Sequence, residues 1–235
     1  MVDHLNSAPN KPLISVIIPT LNAGNFLGNA LQSVFSQTYL DFELIMIDGG
    51  SSDSTLELAK TYPQVQIFQQ KSSGLASAWN EGILKARGEF ITFLDSDDIW
   101  LPTCLESHIL AFQGITHLEA SLGRVEFFLD SNSKVPPGFK LSLLQGTHIG
   151  NMPGCFMGRR NLFNRLGMFE TRWKIASDLI WFTKLRNQEP HILELEQVCL
   201  RKRVHNSNLS YTTAQTSVYD KELLQFLAEK IKNGR

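Results

Sequence analysis

Between Leu13 and Leu94 the chain alternates between two hydrophobic periods, and that alternation restricts its fold more than any other feature. Short, β-rich apolar runs occupy Leu13–Pro19, Phe42–Ile47, Val65–Phe68 and Phe90–Leu94. Runs of this length, bounded by turn residues, read as buried strands. Between them apolar residues return at helical spacing. Phe26, Leu27, Ala30, Leu31, Val34 and Phe35 follow the first run, Leu56 and Leu58 the second, and Leu75–Ala86 the third. Ser51, Ser52 and Asp53 offer N-caps for the second helix, and Gly88 is placed to stop the third. The order β-α-β-α-β-α-β predicts a Rossmann-like three-layer α/β fold, with a mostly parallel sheet and helices on both faces. In such sheets ligands collect beyond the carboxyl ends of the strands.

Three of those ends carry polar chemistry: Thr20, Asp48, and the trio Asp95, Asp97 and Asp98. Carboxylates gathered just past a buried strand repel one another. A hard divalent cation relieves that repulsion, and Mg²⁺ or Mn²⁺ suits oxygen ligands while leaving positions for water and phosphates. The alternative is helix capping, because Asp is a favoured N-cap and Pro102 suits a first helical turn. Capping alone does not account for polar groups at three strand ends at once.

At 235 residues the chain can bury a substantial core without staples. A net charge of −1 with 19% charged residues leaves no basic footprint for nucleic acid. Cys104, Cys155 and Cys199 are odd in number and far apart, which suggests neither a disulfide framework nor a zinc site. Met1–Lys11 lacks the apolar core of a signal peptide, and no apolar run is long enough to span a bilayer. A cytoplasmic protein is expected.

The second half is less regular. Asp130–Gly146 reads as a long surface loop and Asn151–Gly154 as a turn before the apolar Cys155–Met157. Arg160–Leu166 reads as a brief helix closed by Gly167, Asp178–Arg186 as a helix, and Ile192–Leu200 as a last strand. Val218–Ile231 is an amphipathic helix with Leu223, Leu224, Leu227 and Ile231 on one side. It either docks on the inner face of a membrane beside a lipid-linked acceptor, or packs on its own domain or a second subunit as a homodimer. The mixed charge of its polar face favours packing.

The segments PTLNAG (Pro19–Gly24), IDGGSSDST (Ile47–Thr55) and GLASAWNEGILKARGEFITFLDSDDIW (Gly74–Trp100), with the later ASDLIWFTKL and RVHNSNLS, resemble a family 2 glycosyltransferase in their order and spacing. The resemblance covers Leu13 to about Ser210 and implies a GT-A fold with an appended C-terminal helix. It divides the chain into a flexible segment 1–12, a nucleotide-sugar-binding half 13–112, an acceptor-binding half 113–212 and the terminal helix 213–235. It also implies an inverting transfer from a nucleotide-diphospho-sugar, commonly UDP-linked, to a hydroxyl of a glycan, glycolipid or peptide.

Residue by residue, the resemblance makes Asp48 the partner of a nucleobase N–H, with Thr20 and Asn22 lining the same cleft. Lys71 and Gly74 pass close to the nucleotide, although a solvated surface role fits Lys71 equally well. Asp97 becomes the metal ligand, Asp95 a support for the ribose or a metal-bound water, and Asp98 a sugar-orienting group or helix cap. Asp178 becomes the general base, His205 a second ligand for Mn²⁺ or Mg²⁺, and Arg203 a phosphate contact. Two departures stand out: Gly49 and Ser177 occupy positions where the family often carries acids. Trp79, Trp100 and Trp181 read as packing, with Trp100 an alternative stacking platform for a sugar. Two other classes stay open. A sugar-phosphate nucleotidyltransferase would want a glycine-rich basic loop where this chain has LNAGNF, and a non-catalytic nucleotide-sugar-binding protein would not need Asp97, Asp178 and His205 together.

Overall fold

A computed structural model of the chain describes residues 13–130, 133–137, 139–188, 191–209 and 218–232; the segment 1–12 therefore lies outside the described residues. The first half alternates as the hydrophobic periods require: β1 (Ile14–Thr20), α1 (Leu27–Phe35), β2 (Phe42–Asp48), α2 (Thr55–Lys60), β3 (Val65–Gln69), α3 (Leu75–Lys85) and β4 (Phe90–Phe93). After the short β5 (Ile99–Trp100) come α4 (Cys104–Gly114), β6 (Ala120–Leu129), β7 (His148–Ile149), β8 (Phe156–Arg159), α5 (Arg160–Leu166), α6 (Ser177–Asn187), β9 (Ile192–Val204) and α7 (Val218–Lys232).

All the described strands join one sheet in the order β3-β2-β1-β4-β8-β6-β9-β5, with β7 on β6. The long ladders are parallel: β1 with β2 and β4, β2 with β3, and β6 with β9. Shorter antiparallel pairings, β4 with β8 and β8 with β6, join the two halves. Every residue of β1 is buried, as a central strand covered on both faces demands. Its alternation sorts the core. Ile14, Val16 and Ile18 pack with Leu27, Leu31 and Val34 of α1 and with Leu105, Ile109 and Phe112 of α4. Ile17 faces the opposite layer of Trp79 and Ile83 from α3, Phe163 from α5 and Trp181 from α6. The sheet is thus sandwiched between helical layers.

Several boundaries differ from the sequence expectation. Gly88 does not stop α3; the helix ends at Ala86, whose backbone turns extended. Gly88 is instead a close-approach glycine, because a Cβ there would sit 2.6 Å from the Ser15 backbone nitrogen. The ten-residue strand β6 has no counterpart in the sequence reading. Gly123, Arg124 and Glu126 break up its apolar signal, and its ladder to β9 is irregular between Leu122 and Val125. β9 continues to Val204, so Arg201, Lys202 and Arg203 lie within the strand rather than after it. In α7 the leucine-rich side faces outward: Leu224, Leu227 and Ile231 are exposed while Phe226 is buried. No described helix is long and apolar enough to cross a membrane.

Candidate active site

The carboxyl end of β4 is closed by the Leu94 N–H donating to the Ile17 carbonyl at 3.0 Å. The chain then turns through Asp95–Asp98, tightened by a 3.1 Å bond from the Asp98 N–H to the Asp95 carbonyl, and re-enters the sheet as β5 against β9. This topology puts the acidic turn against the end of β9. Carboxylate oxygens of Asp95, Asp97 and Asp98 lie within 4.8 Å of one another.

The repulsion expected there is met first by a side chain. Lys202 Nζ stands 2.8 Å from Asp98 Oδ2 and 3.4 Å from Asp95 Oδ2. Asp98 is fully buried, and its other oxygen accepts the Arg203 N–H at 2.9 Å. Burial pushes the Asp98 carboxyl up to about 7, against the pull of Lys202. Burial also raises Asp95, whereas Asp97 is held below the usual carboxylate range: burial opposes this, but the hydrogen bond to His205 and the charge of Lys202 outweigh it. The three acids therefore differ in role, with Asp97 the most firmly ionised.

Asp97 Oδ2 faces His205 Nε2 at 3.0 Å, and Asn208 Nδ2 approaches both atoms, at 3.1 and 3.0 Å. His205 Nδ1 bonds Ser207 Oγ at 2.7 Å, and Phe26 lies against the ring at 4.5 Å between centroids, so the imidazole is fixed at its other edge. Neighbouring ligands on an octahedral ion with bonds of ~2.1 Å are ~3.0 Å apart, so a carboxylate oxygen and an imidazole nitrogen at this separation fit a divalent cation. Asp95 Oδ1, buried and without a hydrogen-bond partner, is a further oxygen in the same turn.

Arg203 is the residue whose surroundings fit its expected role least. It is buried, donates from Nε to the Asp97 carbonyl at 3.0 Å, pairs with Asp130 and reaches Asn29 Oδ1 at 3.2 Å. Its guanidinium packs near the rings of Phe26 and Phe128. These contacts brace the turn from behind and leave little of the fork for a phosphate.

At the neighbouring strand ends, Asp48 is buried and accepts the Gly50 and Ser51 N–H groups on Oδ2 at 3.0 and 3.1 Å. Its Oδ1 is buried without a hydrogen-bond partner. The Thr20 hydroxyl donates to the Ile47 carbonyl at 3.3 Å. Asn22, at φ 50°, accepts the Ser52 N–H at 2.9 Å and its own N–H reaches Ser51 Oγ at 2.9 Å, which locks the loops after β1 and β2 together. Lys71 is exposed, and its backbone N–H, with that of Ser72, is captured by the Glu81 carboxylate at 3.0 Å. Gly74, at φ 101° with open space where a Cβ would stand, keeps the entrance to α3 unobstructed.

Asp178 lies in the first turn of α6. Its Oδ1 accepts the Leu179 N–H at 2.7 Å, and the adjacent Ser177 Oγ is buried without a partner. Burial pushes its carboxyl up to about 6; the charge of Asp95 adds to the rise and Lys202 opposes it. Asp178 therefore belongs to the same electrostatic neighbourhood as the acidic turn, although 80 residues separate them in sequence.

Lys202 and Asn208 are the site residues the sequence reading gave no role. Lys202 is hidden in an Arg-Lys-Arg run that reads as solvated, and Asn208 in a short polar turn. Trp100 is buried and donates to the Gly154 carbonyl at 2.8 Å, so it packs rather than stacks on a ligand. The cysteines are closer than their spacing suggests. Cys104, His108 and Cys199 place donor atoms within 4.8 Å of one another in the core between α4 and β9. Three donors fall one short of a closed structural zinc site, and Cys155 is turned to the Arg124 carbonyl at 3.8 Å.

Residues 15–167 match the family model described as Glycosyl transferase family 2. An uncharacterised glycosyltransferase of Rickettsia typhi is 27% identical over 216 residues, covering 86% of this chain and 67% of its own. A PGL/p-HBAD biosynthesis glycosyltransferase of Mycobacterium bovis is 32% identical over 174 residues, covering 71% of this chain and 67% of its own. Among solved structures, S. aureus TarS 1-349 in complex with UDP-GlcNAc superposes with a TM-score of 0.67 at 22% identity, over 83% of this chain and 59% of that one. The mannosyltransferase PcManGT of Pyrobaculum calidifontis, in complex with GDP-Man and Mn²⁺, gives 0.66 at 21% identity over 98% of this chain and 68% of that one. The chain thus spans about two thirds or less of the curated relatives it matches. These structures share the GT-A fold, and the alternating sheet, the loop after β2 and the acidic turn after β4 all fall inside the matched segment: the chain belongs to glycosyl transferase family 2.

Proposed function

We propose that the protein transfers a sugar, with inversion, from a nucleotide-diphospho-sugar to a hydroxyl of a glycan or glycolipid, with a uridine nucleotide as the favoured donor class. The observation that carries this reading is the contact of Asp97 with His205, 108 residues apart in sequence, with Asp178 near enough for the charges of Asp95 and Lys202 to act on it. The unpartnered Asp48 Oδ1 offers an acceptor to the N–H of a uracil-type base, and the fold of a UDP-GlcNAc-bound neighbour supports that class. The GDP-Man-bound neighbour keeps a guanine donor as the alternative.

Asp97 and His205 would hold Mn²⁺ or Mg²⁺, with Asp95 close by. When bound, the ion supplies Lewis-acid stabilisation of the departing nucleoside diphosphate. Asn208 and Ser207 orient His205, and Lys202 keeps Asp95 and Asp98 from spreading apart. Asp178 accepts the proton of the attacking hydroxyl, and a single displacement by that hydroxyl inverts the anomeric centre. A base whose carboxyl is raised to about 6 remains ionised at neutral pH while gaining proton affinity, which suits general-base work. Ser177 Oγ, unpartnered beside it, can share the acceptor's polar groups.

Calorimetric titration with a panel of nucleoside diphosphates and nucleotide-sugars, with and without Mn²⁺, tests the donor assignment. Wild type should bind one nucleotide class in a metal-dependent manner, and Asp97→Ala should lose that binding. Asp178→Asn should bind the donor normally and release no product. Absence of binding by folded wild type to every nucleotide would overturn the transferase site.

A further inference from the structure

The N-terminus of α6, which carries Asp178, is held by an element outside the matched family segment. Helix N-termini leave backbone N–H groups without partners, and the N-cap here is Ala176, whose side chain caps nothing. Glu222 of α7 takes over that task for the approach to the helix. Its Oε1 accepts the Lys174 N–H at 2.8 Å, and its Oε2 accepts the Ile175 and Ala176 N–H groups at 3.1 and 3.0 Å. Three charge-assisted bonds from one carboxylate fix three consecutive backbone units.

Two further contacts come from the same face of α7, at positions i+4 and i+7 from Glu222. Phe226 packs with Trp173, Ala176 and Ile180 in a small separate core. Glu229 receives Arg172 through two parallel bonds of 3.1 and 2.8 Å. Arg172 and Trp173 are also tied by Glu170, which accepts their N–H groups at 2.8 and 3.0 Å and pairs with Lys184 of α6. Residues 170–176 are therefore gripped from both sides, and the grip ends two residues before Asp178.

We infer that Glu222 is a positioning residue for the base, and that α7 is a clamp on the active site. The inference rests on the reading of Asp178 as base. A glutamine at position 222 preserves shape but offers one acceptor oxygen instead of two, so at least one of the three backbone bonds is lost. Displacements on the order of 1 Å at a reacting group can cost up to about a hundredfold in rate.

The test uses the full chain as wild type, Glu222→Gln, Glu229→Gln and Asp178→Asn, with Leu224→Ala on the outer face of α7 as the control. Hydrogen exchange at the amides of residues 174–181, a carboxyl NMR titration of Asp178, calorimetric binding of UDP with Mn²⁺, and release of UDP from the UDP-sugar that the wild type turns over are measured. For Glu222→Gln the expected result is faster exchange confined to 174–181 and an Asp178 titration displaced towards the ordinary carboxylate value. Turnover should fall roughly tenfold, with UDP affinity unchanged. Glu229→Gln, which leaves Glu222 intact, should move the same readouts less, and Leu224→Ala should move none. If exchange, the Asp178 titration and turnover are all unmoved in a folded Glu222→Gln, or fall equally in Leu224→Ala, the clamp is refuted. Full turnover by Asp178→Asn would overturn the base assignment instead, which separates the two failures.

Discussion

Lys202 decides how the acidic turn survives on its own. With Asp98 fully buried and Asp95 raised by burial, removing the ammonium leaves these carboxylates either unpaired or forced to take up protons, a change that costs up to about 3–5 kcal/mol. Lys202→Met should therefore lower thermal stability sharply without metal, and added Mn²⁺ should recover much of the loss, read by calorimetry in EDTA and in Mn²⁺. Equal melting temperatures for wild type and variant in EDTA would show that Lys202 is not the counter-ion. Asp178 yields a prediction with opposite signs for activity and stability. Its folded carboxyl sits at about 6, above the ordinary 3.8, so the folded state holds its proton more tightly than the unfolded chain does. Ionisation therefore costs stability, progressively between pH 3.8 and about 6 and fully above that, on the order of 3 kcal/mol. Asp178→Asn should abolish turnover yet raise the melting temperature at pH 7.5 and not at pH 3.5. In the wild type the rate should fall about tenfold per pH unit below about 6, as the base is protonated.

At the scale of elements, the close approach of α3's exit to β1 is set by Gly88. A methyl group there would meet backbone at 2.6 and 2.8 Å rather than the end of a flexible side chain. Gly88→Ala should destabilise by about 1–3 kcal/mol in denaturant titrations, and an effect below about 0.5 kcal/mol would show that β1 and the loop can separate freely. The first-half elements were legible because β1 and β2 are short continuous apolar runs and α1 repeats its apolar residues at helical spacing. β6 was not, since its polar interruptions are answered by β9 and β7 across space. The inner face of α7 was not legible for a related reason. Apolar count points to Leu224, Leu227 and Ile231, but the carboxylates of Glu222 and Glu229 bond to residues 172–176, and those bonds turn Phe226 inward.

For the whole molecule, the candidate site draws Asp48 and Asp97 from one half and Asp178 and His205 from the other, across the antiparallel pairing of β4 with β8. A ligand bridging the halves should stabilise them as one unit. With UDP and Mn²⁺ at a hundredfold over their dissociation constant, unfolding should remain one transition stabilised by about 2.7 kcal/mol. Splitting into two transitions would mean that the halves unfold independently, and Asp97→Ala should show no stabilisation. The sequence by itself determined the alternating α/β class and the strand ends that hold polar groups, because these depend on local periodicity and on residue order, while its resemblance to the family supplied the candidates Asp48, Asp97, Asp178 and His205. Only the tertiary structure decided that Lys202 balances the acidic turn, that Arg203 braces it from behind, and that Glu222 holds the approach to Asp178. Charge compensation and backbone capping are made by groups far apart in the chain, and no local pattern records which cation will meet which carboxylate once the sheet has closed.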